Sequence, residues 1–140
     1  MAELFIHVYS EPGAEWDKKT AKAYLSKDYK NYPEFCLVAL DDGGKAMGAI
    51  FCSADPYYKS KLLFIDSLQV KTEHRNKGVA KRLLFAVAKK AKEKDYRGIH
   101  LLTDERQIFP KKWYEKLGFA KTGWVEYESD FKDINLDLLE

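Results

Sequence analysis

Apolar positions along this chain follow two rhythms, a period of two and a period near 3.6, and the switches between them outline its elements. "EFCLVAL" at 34–40 and "KAMGAIFC" at 45–52 flank the turn signal "DDGG", which predicts a β-hairpin that "ADPYY" at 54–58 brings to an end. "KLLFIDSLQV" at 61–70 is apolar and β-branched enough for a long central strand. From Gly78 onward apolar residues recur at 79/80, 83/84, 87/88 and 91, the stripe of a helix lying on a sheet, with Lys81, Arg82, Lys89, Lys90 and Lys92 on the rest of its surface. That helix is expected to stop near Gly98. "IHLLT" at 99–103 then reads as a short buried strand. "PKKWYEKLG" reads as a short helix opened by Pro110 and closed by Gly118. "FAKTGWVEYE" at 119–128 reads as a strand, and the alternation of "INLDLL" predicts a closing one. Toward the N-terminus, Trp16, Thr20, Ala23 and Tyr24 lie at helical spacing within 12–29, which predicts the first helix. Helices between strands, with an early hairpin, imply a mixed α/β (α+β) sheet.

The hairpin register decides how the two cysteines relate. Leu40 opposite Lys45 puts Cys36 opposite Ala49 and Cys52 on the other side of the sheet, so both read as reduced, buried thiols. A chain of 140 residues suits one domain, taken as 1–140. "LFIHVY" is too short for a signal-peptide core and no run approaches a membrane span, so the expected address is the cytoplasm.

The net charge of +2 says little, but its distribution says more. Residues 71–97 hold ten Lys and Arg against three acids, and 126–140 hold six acids against one Lys, so one region suits an anionic partner and the other a cationic one. Solvated surface faces would account for either segment taken alone.

The joint between the central strand and the basic helix carries the first chemical signal. A helix N-terminus presents unpaired N–H groups and partial positive charge, Gly78 lets a ligand approach the backbone, and Arg75, Lys77 and Lys81 surround the same point. That combination suits a pyrophosphate. The spacing R-x-x-G-x-A from Arg75 to Ala80 is weak by itself. Neither the phosphate loop G-x-x-x-x-G-K-S/T nor the dinucleotide fingerprint G-x-G-x-x-G occurs.

"LFIDSLQVKTEHRNKGVAKRLL", followed some thirty residues later by "KKWYEKLGF", resembles the GNAT superfamily of acetyl-CoA-dependent N-acetyltransferases. The likeness covers about residues 35 to 125 well and the N-terminal third in outline. It implies a central mixed, mostly antiparallel sheet flanked by helices, splayed between the strands at 61–71 and 99–103 to admit the cofactor. It further implies that backbone amides of Arg75, Asn76, Lys77, Gly78, Val79, Ala80 and Lys81 hold the pyrophosphate of coenzyme A. The strand ending at Val70 would pair with the pantetheine arm, and the amide of Leu68 or Val70 would polarise the thioester carbonyl. Tyr114 matches the tyrosine that serves as general acid to the departing thiolate. Asp66 matches a position that often holds a glutamate and is the candidate general base. Ala80 replaces the commoner glycine, Thr72 stands where proline is frequent, and Gln107 stands where an asparagine often contacts the cofactor.

The chemistry sets what those residues must supply. An alkyl ammonium with pKa of ~10.4 is free base in only about one molecule in a few thousand at pH 7, a handicap of roughly 4 to 5 kcal/mol, so a carboxylate or a water chain must take its proton. Strand alternation puts Asp66, Leu68 and Val70 on one face. A structural carboxylate bonded to its neighbours is an equal reading of Asp66, as core packing beside Trp113 is an alternative for Tyr114. His7, His74 and His100 are scattered and no metal spacing occurs, so no metal is expected. Asp104 and Glu105 could touch a substrate or cap a helix.

The expected activity is acetyl transfer from acetyl-CoA to a small-molecule or peptide amine by direct attack, without an acyl-enzyme. The acids Glu126, Glu128, Asp130 and Asp133 hint at a cationic acceptor. The alternative is a catalytically silent acyl-CoA-binding sensor. Nucleic-acid binding by the helix around Lys89 to Lys94 lacks interleaved exposed aromatics and is disfavoured. No membrane partner is expected. A leucine-rich closing strand could pair between protomers in a homodimer.

Overall fold

The computed structural model describes residues 2–9 and 16–139. The chain divides into two compact units, Met1–Leu102 and Thr103–Glu140. The first contains α1 (Ala2–Tyr9), α2 (Lys18–Asn31), β1 (Cys36–Leu40), β2 (Ala46–Tyr57), β3 (Ser60–Val70), α3 (Val79–Glu93) and β4 (Gly98–Leu101). Its sheet runs in the order β1-β2-β3-β4, antiparallel across the first three strands and parallel between β3 and β4. The expected mixed, mostly antiparallel sheet is therefore present, with α3 as the crossover that a parallel pair requires.

The hairpin turn explains a register different from the one expected. Asp41 Oδ1 accepts from the amides of Gly43 at 2.9 Å and Lys45 at 2.8 Å, and Asp41 N–H donates to the Lys45 carbonyl. Asp41 thus closes the turn against Lys45 and Leu40 faces Ala46; a bulge at Ala39/Leu40 then brings Cys36 opposite Phe51 rather than Ala49. Both cysteines are free thiols. Burial pushes the Cys36 thiol up to about 11 and raises that of Cys52 as well. Strand β2 does not end at "ADPYY" but continues through Pro56 to Tyr57. β1 flanks β2 only as far as Phe51, so Pro56 sits on an open edge where a missing N–H costs nothing.

Helix α2 starts later than predicted because Asp17 caps it, its carboxylate accepting from the Thr20 amide at 2.7 Å. The buried stripe is Ala21, Leu25 and Asp28, whereas Thr20 and Ala23 are exposed and Trp16 precedes the helix. Residues 12–15 of the predicted span lie outside the described residues. Helix α1 had no counterpart in the sequence reading. Its Phe5 joins Ala21, Leu25, Ala49 and Phe51 in a core beneath α1 and α2, with Trp16, Tyr24 and Cys36 at the margin. The alternate set Ile50, Cys52, Leu63 and Ile65 is equally buried and turns the other way, toward α3 with Val79, Leu83, Leu84, Val87 and Ala91. Helix α3 ends at Glu93, where Asp95 takes a left-handed turn (φ 57°), so the stop falls before Gly98.

The second unit holds α4 (Ile108–Lys116), which starts two residues before Pro110 and is closed by Gly118 at φ 95°. The strands expected at 119–128 and 134–139 are not formed. Residues 119–130 carry no regular structure and Leu136–Leu139 form a single 3-10 turn. Alternation makes a strand only where a neighbour accepts its hydrogen bonds, and Trp124, Tyr127 and Phe131 are more than four-fifths exposed. Among the described residues no helix is long and apolar enough to cross a membrane, and no three His, Cys, Asp or Glu side chains gather as metal ligands.

Candidate functional site

Strand β3 is longer than its parallel neighbour. Pairing with β4 runs from Leu62↔Gly98 to Ile65↔Leu101 and stops, leaving Asp66–Val70 beyond the ladder. On the other flank β2 follows β3 all the way to Gly48↔Val70. Lys71 N–H donates back to Met47 O, so the even-numbered residues Leu68 and Val70 turn their main-chain groups away from β2, toward the side β4 does not reach. Both are engaged there. The Tyr9 hydroxyl donates to the Leu68 carbonyl at 3.0 Å and accepts from the Leu68 amide at 3.1 Å, and Arg75 Nε donates to the Val70 carbonyl at 3.2 Å.

A second irregularity sits on the same strand. Phe51 faces Ser67 and Cys52 faces Ile65, so Asp66 is the extra residue of a bulge. This breaks the alternation that would have put Asp66, Leu68 and Val70 on one face. Asp66 points to α2, whereas Leu68 opposes Ile50, which turns away from α2. The Asp66 carboxylate accepts from Ser53 Oγ at 2.6 Å, Lys27 Nζ at 3.2 Å and the Tyr24 hydroxyl at 3.4 Å. Lys27 also holds Asp28 at 2.8 Å, and the Asp28 side chain is 1% exposed. Burial raises the Asp28 carboxyl above the ordinary range against the pull of Lys27. Burial would lower the Lys27 ammonium, but its bonds to Asp28 and Asp66 outweigh this and raise it. Burial, then the Asp66 charge, raises Tyr24. The Asp66 carboxylate is thus bonded to its neighbours and stands at the strand bulge.

After β3 the chain makes a 3-10 turn at Thr72–His74 and enters α3 through Gly78. The backbone is left-handed at Asn76 (φ 59°) and Gly78 (φ 76°), a pattern that turns successive amides into one concavity. Gly78 has no side chain with which to cap α3 and the first turn holds no acid, so the orphan N–H groups and the dipole face outward. Asn76, Lys77, Gly78 and Lys81 are exposed, Val79 is buried and Ala80 half-buried. Lys77 Nζ donates to the Glu73 carbonyl at 2.9 Å. The approach to these amides is open, since a Cβ on Gly78 would meet nothing nearer than Arg82 Nη1 at 4.0 Å, and the exposed Lys77 and Lys81 beside them suit an anionic group.

The first unit therefore brings together Asp66, Leu68, Val70 and Arg75 to Lys81. Gln107 and Tyr114 belong to the second unit, Gln107 preceding α4 and Tyr114 within it, packed edge to face on Trp113 and Phe119 at 5.0 and 5.5 Å. Asp104 turns to Arg106, whose side chain and amide hold its carboxyl down to about 2, and Glu105 pairs with Lys121 and Lys111. Neither caps α4. Sequence reasoning missed Tyr9, Lys27, Asp28 and Ser53. Asp28 alone carried a signal, a carboxylate in the apolar stripe of α2.

A mixed four-stranded sheet whose parallel ladder ends after four residue pairs, next to an uncapped helix entered through glycine, defines the class as an α/β domain. The chain matches the model of the Acetyltransferase (GNAT) family over residues 2–119 and belongs to that family. It is 30% identical over 118 residues to "N-acetyltransferase 8B" of Mus musculus, covering 81% of this chain and 51% of that protein. The chain thus spans about half the length of the curated relatives it matches. Among solved structures it is similar to the NatC complex bound to Gag peptide and CoA (TM-score 0.70, 25% identity, 86% of this chain and 75% of that chain). It shares its fold with the acetyltransferase AAC(6')-Iy in complex with a bisubstrate analog of CoA (TM-score 0.73, 23% identity, 92% of this chain and 88% of that chain).

Proposed function

We propose that this chain transfers an acetyl group from acetyl-CoA to a primary amine by direct attack, with no acyl-enzyme. The observation that carries this reading is the joint itself: an uncapped helix N-terminus entered through Gly78, one short turn from a strand whose outer edge β4 leaves unpaired. Amides from Arg75 to Lys81 hold the pyrophosphate, and Arg75, Lys77 and Lys81 add charge that favours it. The edge at Leu68 and Val70 receives the acyl-bearing arm as an added strand would, and an amide there polarises the thioester carbonyl. The amine nitrogen attacks that carbon, the C–S bond breaks, and the departing sulfur takes its proton from Tyr114. The amine gives its proton to Asp66 or to water ordered by the Asp66, Lys27 and Asp28 cluster. Coenzyme A, with a thiol pKa of ~8.5, is a tolerable leaving group, so Tyr114→Phe should slow turnover only ten- to a hundredfold, roughly.

The acceptor is a small-molecule or peptide amine. The neighbours include one complex bound to a peptide and CoA and one holding CoA joined to acetylneamine. Exposed Glu126, Glu128, Asp130 and Asp133 favour a cationic acceptor. Thermal melts with acetyl-CoA and thiol release over a panel of amines test the proposal; neither protection nor release would sink it. The second reading is an acyl-CoA sensor without turnover. It is favoured by the three donors already on Asp66, which tie that carboxylate to its neighbours. Protection by acetyl-CoA without thiol release, unchanged in Asp66→Asn, would select it.

A further inference from the structure

The Leu68 main chain, on the edge proposed above for the acyl-bearing arm, carries a side chain from another element. We propose that Tyr9 is a displaceable occupant of the cofactor's place on β3, so that acetyl-CoA binds only when the phenol leaves. This rests on the acetyl-CoA reading of the site.

The geometry argues for exclusion rather than sharing. In a strand, the N–H and C=O of one residue point to the same side, and a partner strand satisfies them with one acceptor and one donor. A phenol is both at once. Tyr9 supplies the pair with a single oxygen, 3.1 Å from the Leu68 nitrogen and 3.0 Å from its carbonyl oxygen. Any amide or thioester taking either group must enter the space that oxygen fills. The contact is enclosed, since burial raises the Tyr9 hydroxyl although the residue as a whole is 37% exposed. It is held from behind as well, by Phe5 at 4.8 Å, which in turn packs on Trp16 and Tyr24 of the α2 side at 4.8 and 5.3 Å. Displacing Tyr9 therefore also disturbs its packing on Phe5 of α1.

A second observation concerns the strip beneath α1. Gln69 opposes Ala49, which belongs to the core under α1 and α2, so its side chain points into that layer. It is 1% exposed, and among the described residues neither its Oε1 nor its Nε2 has a hydrogen-bond partner. A buried primary amide needs partners, and movement of α1 would open this one to new ones. The closed arrangement is held by the Tyr9 contact and opposed by Gln69, the balance expected of an element that opens.

Occupancy of this kind lowers apparent affinity by the fraction of molecules already open. Tyr9→Phe keeps the ring on Phe5 and removes only the oxygen. By calorimetric titration of the full chain with acetyl-CoA, Tyr9→Phe should bind about tenfold more tightly than the wild type, the worth of two neutral hydrogen bonds. Without ligand, the Leu68 amide should exchange with solvent faster in Tyr9→Phe, and acetyl-CoA should restore its protection in both proteins. Equal or weaker binding by Tyr9→Phe overturns the proposal while leaving the acetyl-CoA reading intact. Binding to neither protein overturns that reading and the occupancy with it.

Discussion

Lys27 in α2 reaches the carboxylate of Asp66 in β3 at 3.2 Å, although the two residues lie thirty-nine positions apart. The same ammonium holds Asp28, so one half-exposed cation serves two enclosed carboxylates. Lys27→Met should therefore destabilise the fold. The penalty for an orphaned buried charge is reduced here because the Lys27 side chain is 50% exposed, giving an expected loss of about 1–2 kcal/mol by urea denaturation. An unchanged midpoint would show that solvent screens the pair completely.

Asp28 makes stability depend on pH with a definite sign. Its carboxyl is raised in the folded protein, so the native state holds a proton that the unfolded chain has lost. Its contribution is present below the unfolded value of ~3.9 and is lost as pH rises through the raised folded value. Asp28→Asn should remove this descending limb. Melting temperatures measured from acid to neutral pH should fall more steeply for the wild type than for the variant.

Gly78 tests the proposed anion site at a modest cost to the fold. Its φ of 76° strains any β-branched residue, but a Cβ there has room. Gly78→Val should cost about 1–2 kcal/mol of stability and weaken acetyl-CoA binding at least tenfold, roughly, because the side chain stands at the mouth of the amide concavity. Gly78→Asn, a residue that tolerates the left-handed region, should recover the stability and only part of the binding. Undiminished binding by the valine variant would remove Gly78 from the site.

Gly48 behaves in the opposite way. A Cβ at Gly48 would lie 2.6 Å from the Gln69 carbonyl oxygen and 3.1 Å from a Val70 methyl, so β2 and β3 must separate to admit one. Gly48→Ala should cost about 2–3 kcal/mol. The strain falls on the stretch of β3 that carries Leu68 and Val70, so cofactor affinity should drop together with the melting temperature.

Sequence periodicity revealed those parts of the molecule in which each element satisfies itself. The α3 stripe from Val79 to Ala91 and the long apolar β3 announce themselves because burial and spacing agree. The hairpin was legible as a hairpin, but its register was not. One bulge at Ala39/Leu40 and the carboxylate of Asp41 shift every partner, and local alternation carries no trace of either. The bulge at Asp66 hid in the same way and placed that residue on the opposite face from Leu68. Of the candidate site, the main-chain half at Arg75 to Lys81 was readable through Gly78. The contacts of Tyr9, Lys27 and Ser53 join distant segments and could not be read from spacing. "FAKTGWVEYE" and "INLDLL" alternate as strands do, yet a pattern cannot supply the neighbour a strand needs.

At the far end of α3, Lys90 Nζ donates to the Glu34 carbonyl at 2.9 Å and Lys94 Nζ pairs with the Glu34 carboxylate at 3.3 Å. Fifteen residues of helix make a rod about 22 Å long, with this clamp at one tip and Gly78 at the other. A pivot of only a few degrees at the clamp would sweep the opposite tip through about an ångström, so the clamp fixes where the amides at Gly78 lie. Glu34 thus anchors the tip of the helix farthest from Gly78.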